Sequence, residues 1–387
     1  MNFELSEEVE LFRDMVHKWV DQECPKDWCR ELERREHEYP QELWDKLAEQ
    51  GFHGVGIPEE YDGLGGDIVI QATFMREFGR NAAGLGWIWG ITSFSGAKSI
   101  GFYGSEEQKR RFLPKMAAGE LKTAISFSEA GGGTDLLGAM KTSAEKVDGG
   151  WVINGEKIWS TTADTADYLL TITRSDKNVE KQSDGLSLFF VPRRSEGITT
   201  TPLSKLGMRA LSSCIVNLEN VFVPDDLLLG EAGKAWKQST KTLNNERIMM
   251  SALCLGIIDG VLEDALEYMS QRRAFGHLIG EFQTLQGYVA EIATWQKQTE
   301  LMLYNTAWLQ SQGKPCFMEA AMTKTTAGNY ACQAADMGIS ILGGMGYSAE
   351  TDMQRYWRDA RLLKIGPVSN EMAQNMIAQG LGLPRSF

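Results

Sequence analysis

Several kinds of chemistry are missing from this sequence. It has four histidines, His17, His37, His53 and His277, and no two stand at metal-ligand spacing, so no metal site is expected. The six cysteines are scattered without a CxxC pair, and a chain of 387 residues can bury a core without disulfide staples. A reduced, cytoplasmic setting is therefore expected. GxSxG and GxxxxGK[ST] are both absent, which removes support for a serine hydrolase or a P-loop enzyme. No apolar run approaches the length of a membrane span. The start, MNFELSEEVELF, carries charges where a signal peptide needs an apolar core, and it is too acidic for a transit peptide. Positive charge is also short. The net charge of −13 argues against a nucleic-acid partner, which would need a basic face.

What remains is an ordinary soluble composition, 43% hydrophobic and 24% charged, with enough length for more than one domain. Residues 1–122 read as helical. Val9, Phe12, Val16 and Val20 recur at helical spacing behind a capping Ser6, and a helix near Gln41–Gln50 ends at Gly51. Residues 123–232 change period. Trp151–Ile153 and Glu156–Trp159 flank Asn154-Gly155, a pair that favours a type I′ hairpin turn. Tyr168–Thr173, Leu186–Val191 and Cys214–Val223 are further strand-like runs, so a small antiparallel sheet or barrel is expected. Residues 233–387 return to helical patterns. Asn244–Gln271 is apolar nearly all round, the mark of a buried helix.

Glu246 and Arg247 stand at the head of that helix. An acidic residue in a first turn complements the helix dipole, and Asn244 or Asn245 is a suitable N-cap, so helix-end chemistry alone could account for them. Helical spacing also puts Glu246 on the face of Met250, Leu253 and Ile257. A carboxylate at the head of an apolar face is partly desolvated, which raises its pKa towards the range of a general base. The residues by themselves leave both readings open.

A family resemblance comes from seven stretches in chain order. They are Gly51–Gly66 with its Pro58-Glu-Glu-Tyr, Ser128-Glu-Ala-Gly-Gly-Gly-Thr-Asp135, Asn154-Gly-Glu-Lys-Ile-Trp-Ser-Thr161, and Lys205-Leu-Gly-Met-Arg209 with Val221–Pro224. Then come Gln271–Gly276 with Gln283, Gly343–Tyr347, and Arg355–Ala360. Together they resemble the acyl-CoA dehydrogenases over nearly the whole chain. The resemblance implies an α+β multidomain fold: an N-terminal helical domain, a middle antiparallel β-barrel or sheet domain, and a C-terminal four-helix bundle. It implies FAD as cofactor, an acyl-CoA substrate, a homotetramer, and electrons passed to an electron-transferring flavoprotein. It further implies that Phe127, Ser128, Gly133 and Thr134 line the flavin. Trp159 would pack on the flavin ring and Thr161 would donate near its reactive nitrogen. Arg272 would pair with the diphosphate of a neighbouring subunit's FAD, with Phe275 and Gln283 beside it and Gly343 and Gly344 along the same cofactor. Ser369 and Glu371 match the cofactor side of the C-terminal motif.

One departure matters. Where most members carry the catalytic glutamate, Ile365-Gly-Pro-Val-Ser-Asn-Glu-Met372 places Pro367, which has no proton-accepting side chain. In the isovaleryl and long-chain branches the base directly precedes the arginine that opens the buried helix. That pair is Glu246-Arg247 here, so Glu246 is the expected base. Arg247 is then expected on the CoA moiety and Asn244 on the pantetheine arm. By family position Gly86–Ser95 lies along the acyl pocket. Trp87, Trp89 and Phe94 could close off a long chain or stack on an aromatic group, and Thr92, Ser93 and Ser95 could bind a polar tail; core packing accounts for the same residues equally well. Trp89 and Ser93 are the expected substrate contacts. A branched, aromatic or otherwise non-straight acyl group is expected. A reductase of the same fold, like the crotonobetainyl-CoA reductases, and a non-catalytic flavin or CoA-binding protein are the alternatives.

Overall fold

The computed structural model describes residues 4–133, 135–239 and 243–384. The chain opens with helices α1 (Glu7–Glu23), α2 (Lys26–Arg34), α3 (Gln41–Glu49), α4 (Ile68–Trp89), α5 (Ala97–Tyr103) and α6 (Glu106–Ala117). Ser6 caps α1, its hydroxyl accepting from the Val9 amide, and Val9, Val16 and Val20 face inward as the spacing requires. Helix α4 breaks its regular backbone at Ala82 and passes at Gly90–Gly96 into a π-helix, a local widening often found at functional sites.

Strands β1 (Thr123–Ser126), β2 (Ser143–Val147), β3 (Gly150–Thr161), β4 (Tyr168–Arg174), β5 (Leu186–Pro192), β6 (Ile198–Pro202), β7 (Ser213–Pro224) and β8 (Leu228–Leu229) form one sheet in the order β6-β7-β3-β2-β4-β5-β8. The sheet is antiparallel except where β1 and β2 each run parallel to β4. The expected hairpin at Asn154-Gly155 does not form. Strand β3 runs straight through the pair, and the turn falls at Asp148-Gly149, where Gly149 has a φ of 72° and Val147 faces Gly150. Both dipeptides suit a tight turn. The register decides between them. A Cβ on Gly155 would lie 2.5 Å from Thr142 Oγ1, so this glycine serves close approach within a bulge opposite β7 instead of a turn.

Beyond the sheet lie α7 (Ala235–Ser239), α8 (Leu243–Gln271), the short hairpin β9 (Arg273–Ala274) and β10 (His277–Leu278), α9 (Gln283–Ser311), α10 (Phe317–Leu342), α11 (Gly344–Tyr347), α12 (Met353–Leu363) and α13 (Asn370–Gly380). The two helical regions share a single core. Phe74 and Phe78 of α4 pack in one cluster with Leu253 and Ile257 of α8 and Ala335 of α10. A second core joins the sheet to α6, where Phe112 meets Phe190 edge-on at 4.9 Å. Helices α4 and α8 cross nearly backbone to backbone. A Cβ on Gly256 would fall 2.1 Å from the Arg76 carbonyl and 2.7 Å from Gly79 Cα. Ion pairs hold the crossing from one side, a buried one from Arg76 to Asp259 at 2.7 Å and one from Arg80 to the exposed Glu263 at 3.1 Å. The Lys205–Arg209 loop docks on α12. The Met208 amide donates to Asp359 Oδ1 at 2.6 Å, and Arg358 reaches the Leu206 carbonyl at 2.9 Å. No helix among the described residues is long and apolar enough to cross a membrane.

Candidate active site

The exit of β1 and the end of β3 meet at one edge of the sheet, the Ser126 and Ser160 hydroxyls 2.9 Å apart. The Ile158 amide donates to the Ser128 carbonyl at 2.9 Å, which sets Phe127 and Ser128 beside Trp159. Trp159 sits at a break in the β3–β7 register with a φ of 62°, a conformation that a bulky residue adopts only under constraint. Its ring is 59% exposed. Thr161 follows, its hydroxyl 3.4 Å from that of Ser213. Beneath this edge lies a pair that the motifs left without a role. Lys157 is fully buried and reaches Glu129 at 2.9 Å and the Phe127 carbonyl at 3.1 Å. Glu129 in turn accepts from the amides of Lys141 and Thr142. Burial pushes Lys157 down to about 8. Burial would raise the Glu129 carboxyl, but Lys157 and the two amides bring it below its ordinary range. The pair therefore anchors the loop from Ser128 to Thr142. A charged residue facing inward on a strand was the available signal for it. Within the loop Gly133 is exposed, with a φ of 37° and open space where a side chain would stand, so a ligand can approach its backbone. Thr134 lies outside the described residues.

Glu246 is the fourth residue of α8 and is half-buried. Burial pushes its carboxyl up to about 7, against the pull of Arg247. Among the described residues its carboxyl has no hydrogen-bond partner. Neither Asn244 nor Asn245 is the N-cap, because the helix has begun by Leu243. Asn244 instead accepts from Arg247 Nη1 at 2.9 Å. Arg247 is 1% exposed, lies over the Phe317 ring at 5.2 Å, and touches Met376 Sδ of α13 at 3.3 Å. It is thus enclosed by its own chain, and its Nε is left without a partner. Pro367 lies in the exposed turn between α12 and α13 and offers neither a basic side chain nor an N–H. Ser369 caps α13, accepting from the Met372 amide at 3.2 Å. Asn370 ties that helix to Lys324 of α10 at 2.8 Å, while Glu371 stays exposed.

The remaining expected residues gather elsewhere. Arg272 follows the last turn of a 29-residue helix, so it stands about 40 Å along the axis from Glu246. Phe275, 93% exposed, projects from the adjoining hairpin, and Gln283 opens α9 nearby. A Cβ on Gly338 would lie 3.0 Å from Val261, so α10 brings Gly343 and Gly344 to this same end of the bundle. Gly343 has a φ of 60°, and both glycines have open space around them. Trp89 and Ser93 are spoken for within the N-terminal core. Trp89 is fully buried and donates to the Phe52 carbonyl at 3.0 Å, while Ser93 lies 3.1 Å from His53 Nδ1. Burial pushes His53 down to about 4, so it is neutral at neutral pH.

The scaffold is a helical–sheet–helical chain with an open aromatic at the sheet edge and a half-buried carboxylate heading the bundle. The comparisons with known proteins specify it. Residues 6–120, 124–221 and 233–382 match the family models for the acyl-CoA dehydrogenase N-terminal, middle and C-terminal domains. An isovaleryl-CoA dehydrogenase of Oryza sativa is 34% identical, covering 96% of this chain and 90% of its own. A 3-(aryl)acrylate reductase of Clostridium sporogenes is 32% identical, covering 97% and 99%. The solved glutaryl-coenzyme A dehydrogenase in complex with glutaryl-CoA superposes with a TM-score of 0.94 at 30% identity, covering 100% and 98%. The chain belongs to the acyl-CoA dehydrogenase family, whose members are FAD-dependent oxidoreductases.

Proposed function

We propose that this protein is an FAD-dependent dehydrogenase of an acyl-CoA thioester, with Glu246 as the base that removes the α-proton. The observation that carries the reading is the Glu246 carboxyl, half-buried, unpartnered and pushed up to about 7, in a chain where Pro367 occupies the other base position. A carboxylate titrating near neutral pH combines the ionised state with real proton affinity. The N-terminal end of α8 supplies a positive field for the enolate that develops beside it. Arg247 holds Asn244 and keeps Glu246 from rising further, so it positions the base; a direct contact with CoA is not needed for that role.

Bound FAD would supply the hydride acceptor for the β-hydrogen. The residues that suit it are Phe127, Ser128, Gly133, Trp159 and Thr161, whose open ring and open backbone leave room for a flat ring system. Arg272, Phe275, Gln283, Gly343 and Gly344 are too far from Glu246 to serve the same cofactor. They fit the resemblance's expectation that they reach a neighbouring subunit of a homotetramer. Ser369 and Glu371 belong to the cofactor side in the same reading, and electron-transferring flavoprotein is the expected acceptor. A cytoplasmic setting is in keeping with the six free cysteines. The likeness to an isovaleryl-CoA dehydrogenase supports a branched, short or otherwise non-straight acyl group.

The test is anaerobic mixing of the FAD-loaded protein with straight, branched, dicarboxylic and aromatic acyl-CoA thioesters. The oxidised flavin band is followed in wild type and Glu246→Gln. Bleaching in wild type, with binding but no bleaching in the variant, assigns the base. A relative named for reduction of an arylacrylate keeps the reverse direction in view. Reoxidation of chemically reduced enzyme by an enoyl-CoA, with no bleaching by any acyl-CoA, would favour that second reading.

A further inference from the structure

Resting on the reading of Glu246 as the base, we propose that Lys324 is a positioning residue for the site. Through Asn370 it locks α13 where Met376 closes over Arg247, and so it holds the guanidinium beside the base. Lys324 lies on α10 and is 1% exposed. Its ammonium donates to Asn370 Oδ1 at 2.8 Å and to the Lys364 carbonyl at 3.4 Å. The charged and titratable groups around it are Cys254 of α8, Glu371 of α13, Arg247 and Lys364. Among the described residues no carboxylate forms an ion pair with it. A buried ammonium gives up neutral acceptors only at a high cost, so Lys324 fixes the end of α12 and the start of α13 together.

Asn370 completes the clamp. It is 3% exposed, and its Nδ2 donates to the Thr325 carbonyl at 3.3 Å and to Asn329 Oδ1 at 3.0 Å. At the other end of α13 a Cβ on Gly380 would fall 2.1 Å from Met318 Sδ, so α13 lies antiparallel along α10. Between these two anchors Arg247 Nη2 donates to Met376 Sδ at 3.3 Å. The other walls of the guanidinium are Asn244 and the Phe317 ring. None of these three is charged, and among the described residues Arg247 has no carboxylate within ion-pair distance. Its place therefore depends on how firmly α13 is held. A loosened α13 lets the guanidinium reach water, and its downward pull on Glu246 weakens.

The experiment compares wild type, Lys324→Met, Asn370→Ala, Arg247→Gln and the two double variants with Arg247→Gln, all FAD-loaded. The titration of Glu246 is read twice. One reading is the acid limb of flavin reduction by a good thioester. The other is the carboxyl band in infrared difference spectra against the matching Glu246→Gln protein across pH. Lys324→Met and Asn370→Ala are each expected to move the titration upward by about 0.5–1 unit. Arg247→Gln is expected to do the same by itself, and adding either clamp variant to it should give no further shift. A merely structural lysine would lower the melting temperature and leave the titration in place. That result in folded, flavin-loaded variants overturns the proposal, as does a shift that persists in the Arg247→Gln background. If Lys324→Met fails to fold, Asn370→Ala decides, since it leaves the ammonium in place. If no thioester reduces the wild-type flavin, the dehydrogenase reading fails by itself, and the infrared titration still decides the role of Lys324.

Discussion

The proposed base is Glu246, and its titration is a direct handle on that proposal. A base at about 7 predicts that flavin reduction by a good substrate rises through an acid limb near pH 7 and levels above it. An acid limb near the ordinary carboxylate range would remove Glu246 from the role. The same group has a stability consequence. Its folded pKa lies above the unfolded value, so its contribution is fully present below the unfolded pKa and is lost as pH rises through about 7. In Glu246→Gln, melting curves should lose that part of the decline between weakly acid and neutral pH, and flavin reduction should fall by about 10²–10⁴-fold. Lys157 and Glu129 give a second test. Glu129→Ala strands a buried ammonium and frees two amides, a loss of about 3–5 kcal/mol, read as a lower denaturation midpoint with reduced FAD retention. A variant of wild-type stability would mean that the pair is solvated in solution.

The crossing of α4 and α8 packs the N-terminal helices against the helix that carries the proposed base. Gly79 and Gly256 let the two backbones touch, and no side chain can stand between them. Gly256→Ala should destabilise by about 1–3 kcal/mol through overpacking, visible in the urea midpoint. Gly131→Ala, in open space on the cofactor loop, should fold as wild type. Equal stability in both would show that the crossing relaxes more readily than its geometry suggests. Helix α8 also divides the site residues between its two ends, which leads to the assembly.

Arg272 and Glu246 stand at opposite ends of one helix, so the proposed constellation calls for a neighbouring subunit. Subunit complementation tests this. Glu246→Gln and Arg272→Glu should each be inactive, the first for want of a base and the second for want of a diphosphate partner. Co-expressed, they should form mixed assemblies in which some subunits have an intact base and receive Arg272 from a neighbour, and activity should return in part. Absence of any recovery in mixed assemblies that are shown to form would place Arg272 in service of its own chain. The shared core of α4, α8 and α10 holds the two helical regions together.

Local periodicity and turn chemistry were enough to read the order of helices, strands and helices, and the buried character of α8, because each depends on residues close in sequence. The family resemblance carried by the motif stretches pointed to Trp159 and Thr161 for the cofactor and to Glu246 as the candidate base. Asn154-Gly155 misled because two glycine pairs competed for one turn, and only the contact of Gly155 with Thr142 chose between them. The capping role of Asn244 failed in a similar way: its side chain found Arg247, an interaction worth more to a buried guanidinium than a helix end. The pairing of Lys157 with Glu129 and the enclosure of Arg247 and Trp89 depend on segments far apart in the chain. Sequence by itself determined which residues could do the chemistry. Tertiary packing alone decided which of them are desolvated, which are already partnered, and which are left open to a ligand, since burial is a property of what surrounds a group and not of the group.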